Sequence, residues 1–440
     1  MPAILIRDPL WDTIHVDPTA RRIIDSVAFQ RLRYIRQLGL AHLVYPGATH
    51  TRFDHALGVY HLARRTVNAL RERGDLTDLP ELEHRMIPLA ALLHDIGHYP
   101  FSHALEELEE HRIAGHHEAL VGRFLRDSDV AAALGEVSTD AATRIEKLIR
   151  GASDSALQGL VSGSLDLDKI EYLKRDARFC GVPYGEVDVD RLLHALLLLR
   201  DPSTGRLEVG VHEKGIASLE SLLFAKYQMF RNVYWHHAVR AATVMYKRIV
   251  LDALEIGLLT SEELVGQTDE GLLSLLEARL SNREDETSRS IARNLAALRS
   301  RQLPKRAAEV SAAEVAADAD QWLAVDSPTK RSIEERLAVE LKLPAGAVYL
   351  DFPEKVHMFH LNLLVQRRGG EVQRLGPAGH EGLIGLPQVA DELYRTARVL
   401  RLFTLQERRT VEPRVLEALA RLTESEARRL IASDRSVLSV

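Results

Sequence analysis

The sequence predicts a mostly α-helical protein with a smaller α+β C-terminal part that carries a short antiparallel sheet. Apolar residues recur at helical spacing through most of the first 250 residues, and residues 260–342 are rich in Ala, Glu, Leu and Arg. The C-terminal segment 347–375 instead contains the strand-like sequences AVYLDF and KVHMFHLNLLVQ, followed by the turn sequence RRGGE. We therefore expect a helical core and a hairpin near the C-terminal end.

The elements of the N-terminal part follow from breakers and apolar spacing. Residues 1–18 should be strand or turn, because Pro9 and Pro18 would break a helix. A helix should follow over 21–38 and stop at Gly39. Further helices are predicted over 55–70, 86–97, 116–125, 168–179 and 217–254, the last being long or broken in two. The helix at 86–97 is apolar almost all round, so it should be buried.

The change in composition after about residue 255 suggests three regions. These are a core over 1–254, a helical region over 255–345 and an α+β region over 346–440. Pro304 and Pro328 should break the helical region. In the last region, helices should return from about residue 387.

The overall composition excludes several classes of protein. With 440 residues and a formal net charge of -6, the chain has no global basic field that would attract nucleic acid. Cys180 is the single cysteine, so an internal disulfide or a thiolate zinc site is excluded. The N-terminus lacks an export signal, and the most apolar run, 192–199, is shorter than the roughly 20 residues of a membrane span. We expect a soluble, cytoplasmic protein.

Histidines and acids are concentrated in four short stretches. They are THTRFDHALG (49–58), HDIGHYPFSHALEE (94–107), GHHEA (115–119) and SLDLDKIEYLKRD (164–176). Each residue alone has an ordinary explanation. His55 suits a helix N-terminus, His117 suits the surface, and Asp168 suits the positive end of a helix dipole.

Together the four stretches fit a metal site. Imidazole and carboxylate ligands suit Mn, Fe, Co or Zn, and a buried helix that ends in His94-Asp95 would fix two of them. Asp168, Tyr172 and Asp176 share one helix face. Since a metal ion activates water near neutral pH, the residues alone indicate a metallo-hydrolase of phosphate substrates.

The order of these motifs resembles the HD-domain dNTP triphosphohydrolases, both bacterial dNTPases and the animal SAM- and HD-domain dNTPase. The resemblance runs through DPLWDTIHV, DSVAFQRLRYIRQLG, YPGATHTRFDHALGVYHLA, HDIGHYPFSH, DLDKIEYLKRD and AKYQMFRNVYWHHAVR. It covers roughly the first 250 residues closely and the C-terminal part more diffusely. It implies an HD-domain helical core that hydrolyses a dNTP to deoxynucleoside and triphosphate, by attack of water on the α-phosphorus.

The resemblance also implies roles for individual residues. One divalent ion (Mn, Fe, Mg, Co or Zn) would be bound by His55, His94, Asp95 and Asp168, with an additional Mg²⁺ on the nucleotide phosphates. The catalytic residues around the triphosphate and leaving group would be His98, His103, His117 and Glu106, the acid orienting one of the imidazoles. A charged imidazole could act there as general acid. The neighbouring Glu107, Glu109 and Glu110 are interpreted as a solvated face.

A third set matches positions that contact the substrate. Arg52 and Lys169 match residues on the phosphates, and the sugar and base would be lined by Gln37, Leu38, Tyr172, Asp176 and Tyr234. A tyrosine against C2′ would exclude a ribose hydroxyl, and Asp176 could accept from the 3′-OH.

A regulatory site is implied as well. Asp25, Gln30 and Arg33 match residues that bind an activating guanine nucleotide, GTP or dGTP, between subunits, which requires a homo-oligomer; we expect a tetramer. The alternative for these residues is a solvated helix face. Some members bind a second activator with an Asn where this chain has Arg7, so that second site is absent or differently specified.

Two other functions remain open: an HD phosphohydrolase of another nucleotide, and a catalytically silent nucleotide sensor. The complete set of ligands and auxiliary histidines favours an enzyme. The sequence contains no GxxxxGK[ST], GxSxG or HExxH motif, so it does not predict a P-loop ATPase, serine hydrolase or zincin. It leaves open the preferred dNTP, the native metal and the biological role, whether pool control or defence against phage.

Overall fold

A computed structural model of the chain describes residues 3–354, 361–376, 385, 390–405, 409–433 and 435–439. Its helices are α1 (Pro18–Ile24), α2 (Val27–Gln30), α3 (Arg52–Glu72), α4 (Glu81–Leu93), α5 (His117–Leu125), α6 (Ser128–Gly135), α7 (Ala141–Ile149), α8 (Leu167–Cys180), α9 (Val189–Ala195), α10 (Ile216–Met229), α11 (His237–Glu255), α12 (Ser261–Leu264), α13 (Asp269–Leu280), α14 (Glu286–Arg299), α15 (Ala317–Leu323), α16 (Pro328–Glu340), α17 (Ala390–Ala397), α18 (Pro413–Leu419) and α19 (Glu424–Ala432). Its strands are β1 (Ile4–Asp8), β2 (Asp12–Val16), β3 (Leu196–Arg200), β4 (Leu207–His212), β5 (Lys305–Ser311), β6 (Val348–Asp351), β7 (Leu363–Gln366), β8 (Val372–Leu375) and β9 (Val399–Thr404). The prediction of a mostly α fold with a short antiparallel sheet near the C-terminus is confirmed.

The N-terminal residues form the antiparallel hairpin β1–β2, as the prolines predicted. The prediction of a single helix over 21–38 is wrong, because the helix is interrupted at Ser26. The Ser26 hydroxyl accepts from the amide of Phe29 and so starts the short helix α2. A 3₁₀ turn and the extended residue Ile35 follow. This break lets the chain pair with the segment before α3, where the amide of Gln37 donates to the carbonyl of His50 over 3.0 Å.

The helices α3, α4, α8 and α10 surround the main apolar core. The predicted buried helix is confirmed as α4, which is buried from Met86 to its last residue, Leu93. It ends four residues earlier than expected, so the residues from His94 onward leave the helix in turns. The start of α3 is fixed by a capping box between Thr51 and Asp54. The first turn of α3 and the residues after α4 thus lie side by side.

The long segment 217–254 forms two helices, which confirms the prediction that it could be broken in two. A π-helical turn, Phe230–Tyr234, separates α10 from α11. π turns place side chains off the regular helical face. Here the turn brings the Tyr234 hydroxyl within 2.6 Å of the Asp176 carboxylate on α8.

The C-terminal strands lie in two different sheets. Strands β5, β9 and β6 form an antiparallel sheet, and the hairpin β7–β8 extends β3–β4 through a parallel contact between β4 and β7. The turn after Arg367 joins β7 to β8, as predicted. The three regions proposed from composition stay a prediction. The expected strand residues 355–360 and the expected helical residues 387–389 lie outside the described part of the chain.

Apolar residues between Leu258 and Leu303 pack against α11 and form a second apolar core with it. This second core includes Phe101, Tyr246 and Tyr349, so it joins the loop after α4 to the later helices and β6. Strands β5, β6 and β9 form a third apolar core with helices α15, α16 and α18.

Among the helices that the structure describes, none combines the length and apolar character that crossing a bilayer would require.

Candidate active site

The four predicted metal ligands come together from three helices. His55 lies in the first turn of α3, His94 and Asp95 follow α4, and Asp168 lies in the first turn of α8. The His55 Nε2 atom is 3.2 Å from His94 Nε2, 2.9 Å from Asp168 Oδ1 and 3.6 Å from Asp95 Oδ2. His94 Nε2 lies 3.4 Å from Asp95 Oδ1 and 3.6 Å from Asp168 Oδ1. Two imidazoles and two carboxylates therefore face one point.

The other nitrogen of each imidazole has a partner that orients the ring. His55 Nδ1 lies 2.6 Å from Glu171 Oε2, and His94 Nδ1 lies 2.8 Å from the carbonyl oxygen of Ala91. With the hydrogen on Nδ1, both Nε2 lone pairs are directed to the shared point. A set of two nitrogen and two carboxylate donors, of which only Asp168 is partly exposed, fits a divalent ion.

The electrostatics of the cluster also favour a cation. Burial lowers the pKa of His55, but hydrogen bonds with Asp168 and Glu171 outweigh burial and raise it to about 10. Burial raises the pKa of Asp168, yet His55 and His94 hold it well below its usual range. The carboxylates thus stay ionised and attract positive charge to this point.

Sequence reasoning missed the residues that support this cluster. Glu171 is fully buried and accepts from Arg175 Nε over 2.7 Å and from Trp11 Nε1 over 2.9 Å. Arg175 also donates to Asp8 over 3.0 Å. A Cβ at Gly58 would lie 2.0 Å from Glu171, so α3 and α8 approach this closely only with glycine there. The sequence signal for Glu171 is its i,i+4 spacing from Arg175 on α8.

The predicted catalytic residues form a second cluster around Glu106. One oxygen of Glu106 lies 2.7 Å from His103 Nδ1, and the other lies 2.6 Å from His117 Nδ1 and also accepts from the His117 amide. Glu106 therefore orients two imidazoles, where the resemblance implied one. The His98 ring stacks on His117 with centroids 3.8 Å apart, and His98 Nε2 is 3.1 Å from Asp95 Oδ1. His98 thus lies between the two clusters.

The two stacked imidazoles have opposite preferences for a proton. Burial lowers the pKa of His117, but the charge and hydrogen bond of Glu106 outweigh it, and the pKa is raised. Burial, Arg52 and His117 together hold the pKa of His98 well below its usual range. Of the two rings, His117 therefore favours the charged form and His98 the neutral form.

All of the predicted substrate contacts line one cleft of about 630 Å³. The same cleft is lined by His94, Asp95 and Asp168 and by His103, Glu106 and His117. The predicted substrate contacts among its lining residues are Gln37, Leu38, Arg52, Lys169, Tyr172, Asp176 and Tyr234. Residues from widely separated parts of the sequence thus share one space.

The two predicted phosphate-binding cations are held by neighbours. Arg52 is buried and donates to Asp95 Oδ2 over 2.7 Å and to the Ser102 hydroxyl over 3.0 Å. Lys169 donates to the carbonyl of Gly163 over 2.8 Å and to the carboxylate of Asp166. Both cations are therefore fixed before any ligand arrives.

Asp176 is fixed from two sides. Tyr234 donates to one of its oxygens over 2.6 Å, and His50 Nε2 lies 2.9 Å from the other. His50 is buried and packs on Phe179 with ring centroids 4.7 Å apart. Sequence reasoning missed His50, although it stands within the motif THTRFDH. Burial raises the pKa of Tyr172 well above its ordinary value, so its hydroxyl stays neutral.

The predicted activator residues lie together on the surface. Gln30 donates to the carbonyl of Ile24 over 2.8 Å, beside Asp25, and Arg33 donates to Gln30 over 2.8 Å. Asp25 is half exposed and lies 3.6 Å from Arg21. Arg7, at the position of the second activator site, donates to Thr13 across the N-terminal hairpin.

One prediction about the acidic tract is wrong. Glu107 does not lie on a solvated face: it accepts from Arg240 over 2.6 and 2.9 Å and from Lys247 over 3.2 Å. Arg240 is buried and also binds Asp351. The sequence could not show this, because both cations come from α11, more than 130 residues away.

Comparison with known proteins identifies the family. The HD domain profile matches residues 52–163, and the profile of the HD associated region matches residues 187–380. The chain belongs to the HD-domain family. Most of the two clusters lies within the first match, while Asp168 lies between the two and Tyr234 within the second.

Curated relatives within the HD-domain family span organisms from archaea to mammals. An uncharacterized protein of Methanocaldococcus jannaschii is 36% identical over 273 residues, 62% of this chain and 54% of the relative. The uncharacterized protein YwfO of Bacillus subtilis is 33% identical over 255 residues, 57% of this chain and 56% of the relative. Deoxynucleoside triphosphate triphosphohydrolase SAMHD1 of Bos taurus is 30% identical over 264 residues, 53% of this chain and 44% of the relative. The chain thus spans about half the length of the curated relatives it matches.

Solved structures share the fold over nearly the whole chain. A hypothetical protein from Aquifex aeolicus is 27% identical with a TM-score of 0.67, covering 95% of this chain and 99% of that one. A phosphohydrolase from Bacteroides thetaiotaomicron has a TM-score of 0.70 at 22% identity, covering 92% and 100%. The second likeness shows the fold alone.

Proposed function

We propose that this HD-domain protein is a metal-dependent dNTP triphosphohydrolase that converts a dNTP and water into a deoxynucleoside and triphosphate. The observation that carries the proposal is the shared cleft, which is lined by a metal-ligand cluster, by fixed cations and by the pair Asp176 and Tyr234. A simple phosphatase has no need for the pair Asp176 and Tyr234, which would contact a sugar. Curated relatives at 29–32% identity bear the name deoxynucleoside triphosphate triphosphohydrolase, which supports the same substrate class.

A divalent ion would be held by His55, His94, Asp95 and Asp168. When bound, it supplies Lewis-acid stabilisation of the phosphate and lowers the pKa of the attacking water. Arg52 and Lys169 bind the triphosphate as fixed cations, so little reorganisation accompanies the growth of negative charge.

The charged imidazole of His117 is assigned as the general acid. Its Nδ1 is bound to Glu106, so the proton available to the departing 5′-oxygen is the one on Nε2. Neutral His98, stacked on the same ring, lies between His117 and Asp95. This stack fixes the plane of the His117 ring.

The sugar is assigned to Asp176 and the tyrosines. Asp176 keeps lone pairs free beside its bonds to His50 and Tyr234, so it can accept from a 3′-OH. Tyr172, one helical turn away on α8, would exclude a 2′-hydroxyl from the space beside C2′.

The decisive assay offers each dNTP to the purified protein with Mn²⁺ or Mg²⁺, with and without GTP. We expect triphosphate and deoxynucleoside in equal amounts, separated by ion-exchange chromatography and by reversed-phase chromatography. Release of phosphate or pyrophosphate instead would indicate another phosphohydrolase. Absence of turnover from metal-loaded protein would favour a nucleotide sensor.

Replacement of His50 should weaken recognition of the sugar. In His50→Ala the buried carboxylate of Asp176 loses one hydrogen-bond donor. This loss costs about 1–3 kcal/mol, which corresponds to a rise in KM of roughly 5- to 150-fold. The measurement compares KM for a dNTP with KM for the matching dideoxy nucleotide, and the preference for the 3′-OH should shrink. His111→Ala is the control, since His111 is largely exposed. An unchanged preference would contradict the role of His50.

We also propose that GTP or dGTP binds at Asp25, Gln30 and Arg33 between subunits of a homo-oligomer, with a tetramer as the expected assembly. Val27 and Tyr34 beside this set are 80% and 66% exposed, and association would cover them.

GTP should therefore raise the rate for another dNTP, and Asp25→Ala should remove most of this activation because the guanine N–H groups lose their acceptor. Initial rates across a GTP titration measure it. Glu136→Ala is the control, since this exposed acid pairs with Arg22 on α1, the helix that ends directly before Asp25. Equal activation of both variants would contradict the site.

A further inference from the structure

We propose that Asp269 is a positioning residue of the active site, which holds the backbone turn that carries Ser102 and His103. The assignment rests on the proposed function, because the residues that it positions are those of the proposed reaction. Asp269 is the first residue of α13, in a part of the chain to which the sequence assigned no role.

The turn in question has an unfavourable backbone conformation. Phe101 and Ser102 have φ angles of 58° and 59°, so two consecutive residues with a Cβ adopt the left-handed conformation. Residues other than glycine, Asn and Asp rarely do so, because the Cβ approaches the carbonyl oxygen. Such a conformation persists only where the surroundings impose it, and it is frequent at functional sites.

Asp269 supplies contacts that impose it. One carboxylate oxygen accepts from the Phe101 amide over 2.7 Å, and the other accepts from the Arg36 amide over 3.0 Å and from the Arg36 guanidinium over 3.3 Å. The Asp269 side chain is almost completely buried. It reaches the turn from 168 residues further along the chain, so the contact exists only in the folded molecule.

These contacts extend to the proposed catalytic groups. The Ser102 hydroxyl donates to the carbonyl of Arg36 over 2.7 Å and accepts from Arg52 Nε over 3.0 Å. Arg52 in turn binds Asp95. His103 follows Ser102 directly, so a shift of the turn would move a phosphate-binding cation and a catalytic imidazole at the same time.

The segment before α13 holds the same loop at a second point. Arg31 donates through one nitrogen to the carbonyl of His98 over 2.9 Å and to that of Gln267 over 3.1 Å. Tyr246 donates to the carbonyl of Pro100 over 3.2 Å. The loop from 98 to 102 is therefore fixed to residues 267–269 and to α11, which makes this later region part of the catalytic apparatus.

A purely structural role for Asp269 predicts something different. In that case its loss would lower the melting temperature, while the folded fraction would keep its turnover. A positioning role predicts a loss of kcat in folded, metal-loaded protein, since a misplacement of about 1 Å can reduce a rate by about 10²-fold.

The experiment compares Asp269→Asn and Asp269→Ala with Glu270→Gln as the matched control. Glu270 is the neighbouring acid, 60% exposed and 3.7 Å from Arg36. We expect kcat for dNTP hydrolysis to fall about 10- to 100-fold in both Asp269 variants, with KM within about threefold of wild type and metal content unchanged. Asparagine should lose less than alanine, because it keeps one oxygen for the Phe101 amide.

Hydrogen exchange tests the positioning without reference to activity. Amides of residues 99–104 should exchange at least tenfold faster in both variants, while those of α3 keep the wild-type rate. Unchanged exchange in this segment, or unchanged kcat with a lower melting temperature, would overturn the proposal. If Asp269→Ala does not fold, Asp269→Asn decides. If the wild type hydrolyses no dNTP, the proposed function fails separately, and the exchange result alone decides whether Asp269 holds the turn.

Discussion

Asp168→Ala should abolish both stoichiometric metal binding and triphosphate release. The substitution removes the carboxylate that faces both imidazole Nε2 atoms, at 2.9 and 3.6 Å. Since the metal contributes several kcal/mol to catalysis, hydrolysis should fall on the order of 10³-fold or more. Metal content after dialysis is measured by mass spectrometry, together with the rate of triphosphate release. The side chain is 32% exposed, so the variant should fold.

The matched control is Asp190→Ala, which removes an exposed acid that pairs with Arg65 on α3. It should keep one metal per chain and the wild-type rate. If Asp168→Ala also keeps one metal per chain, the proposed ligand set is incorrect. Loss of metal with retained hydrolysis would instead show that the bound ion is not needed for turnover.

The helical part of the fold could be predicted because it depends on local spacing. The apolar pattern at 86–97 correctly predicted α4, and the turn sequence after Arg367 correctly predicted the hairpin β7–β8. The break at Ser26 could not be predicted, because the apolar spacing continues through it and only the tertiary position of the chain decides that α1 ends there. Pairing of β7 with β4 is likewise set by contacts between residues about 150 apart.

Part of the candidate site could likewise be predicted from the sequence, and part could not. His94 and Asp95 could be proposed because unusual polar residues follow an apolar helix, and their partners occur in motifs of known order. Asp269 could not, since it looks like an ordinary helix residue until folding brings it to its partner. Glu171 and His50 lie within the quoted motifs, and the i,i+4 pair with Arg175 was a sequence signal for Glu171. Long-range hydrogen bonds such as Asp269 to Phe101 leave no periodic signal in a sequence.

The same distinction applies to Glu107, whose partners the sequence does not reveal. Glu106 and Glu107 are adjacent and chemically alike, yet one binds His103 and His117 and the other binds Arg240 and Lys247. Both acids line the cleft, so they differ only in the partners that folding brings to each of them, which no local pattern reveals. A complete account of the site therefore requires the later helices as well as the matched HD domain.

Replacement of His117 should stop turnover and leave the metal in place. His117→Gln removes the proton donor assigned to the leaving oxygen, and loss of a general acid reduces rates by about 10²- to 10⁴-fold. The His117 ring lies against His98 rather than against the four proposed ligands, so metal content should stay at one per chain. Turnover equal to wild type would assign the acid to another residue.

The need for a protonated His117 also predicts how the rate of hydrolysis depends on pH. His117 must be protonated to act, and its pKa is raised because Glu106 outweighs burial, so activity should persist above the ordinary pKa of histidine and fall as the pH rises through the raised value. In Glu106→Gln the negative charge is gone and burial lowers the pKa of His117 instead. The alkaline fall in kcat should then move by about one pH unit or more toward acid, so the variant loses more activity at pH 8 than at pH 6. Glu109→Gln, which alters a nearby acid beside His111, should keep the wild-type profile. An alkaline limb at the same pH in Glu106→Gln would show that His117 is not the group that titrates.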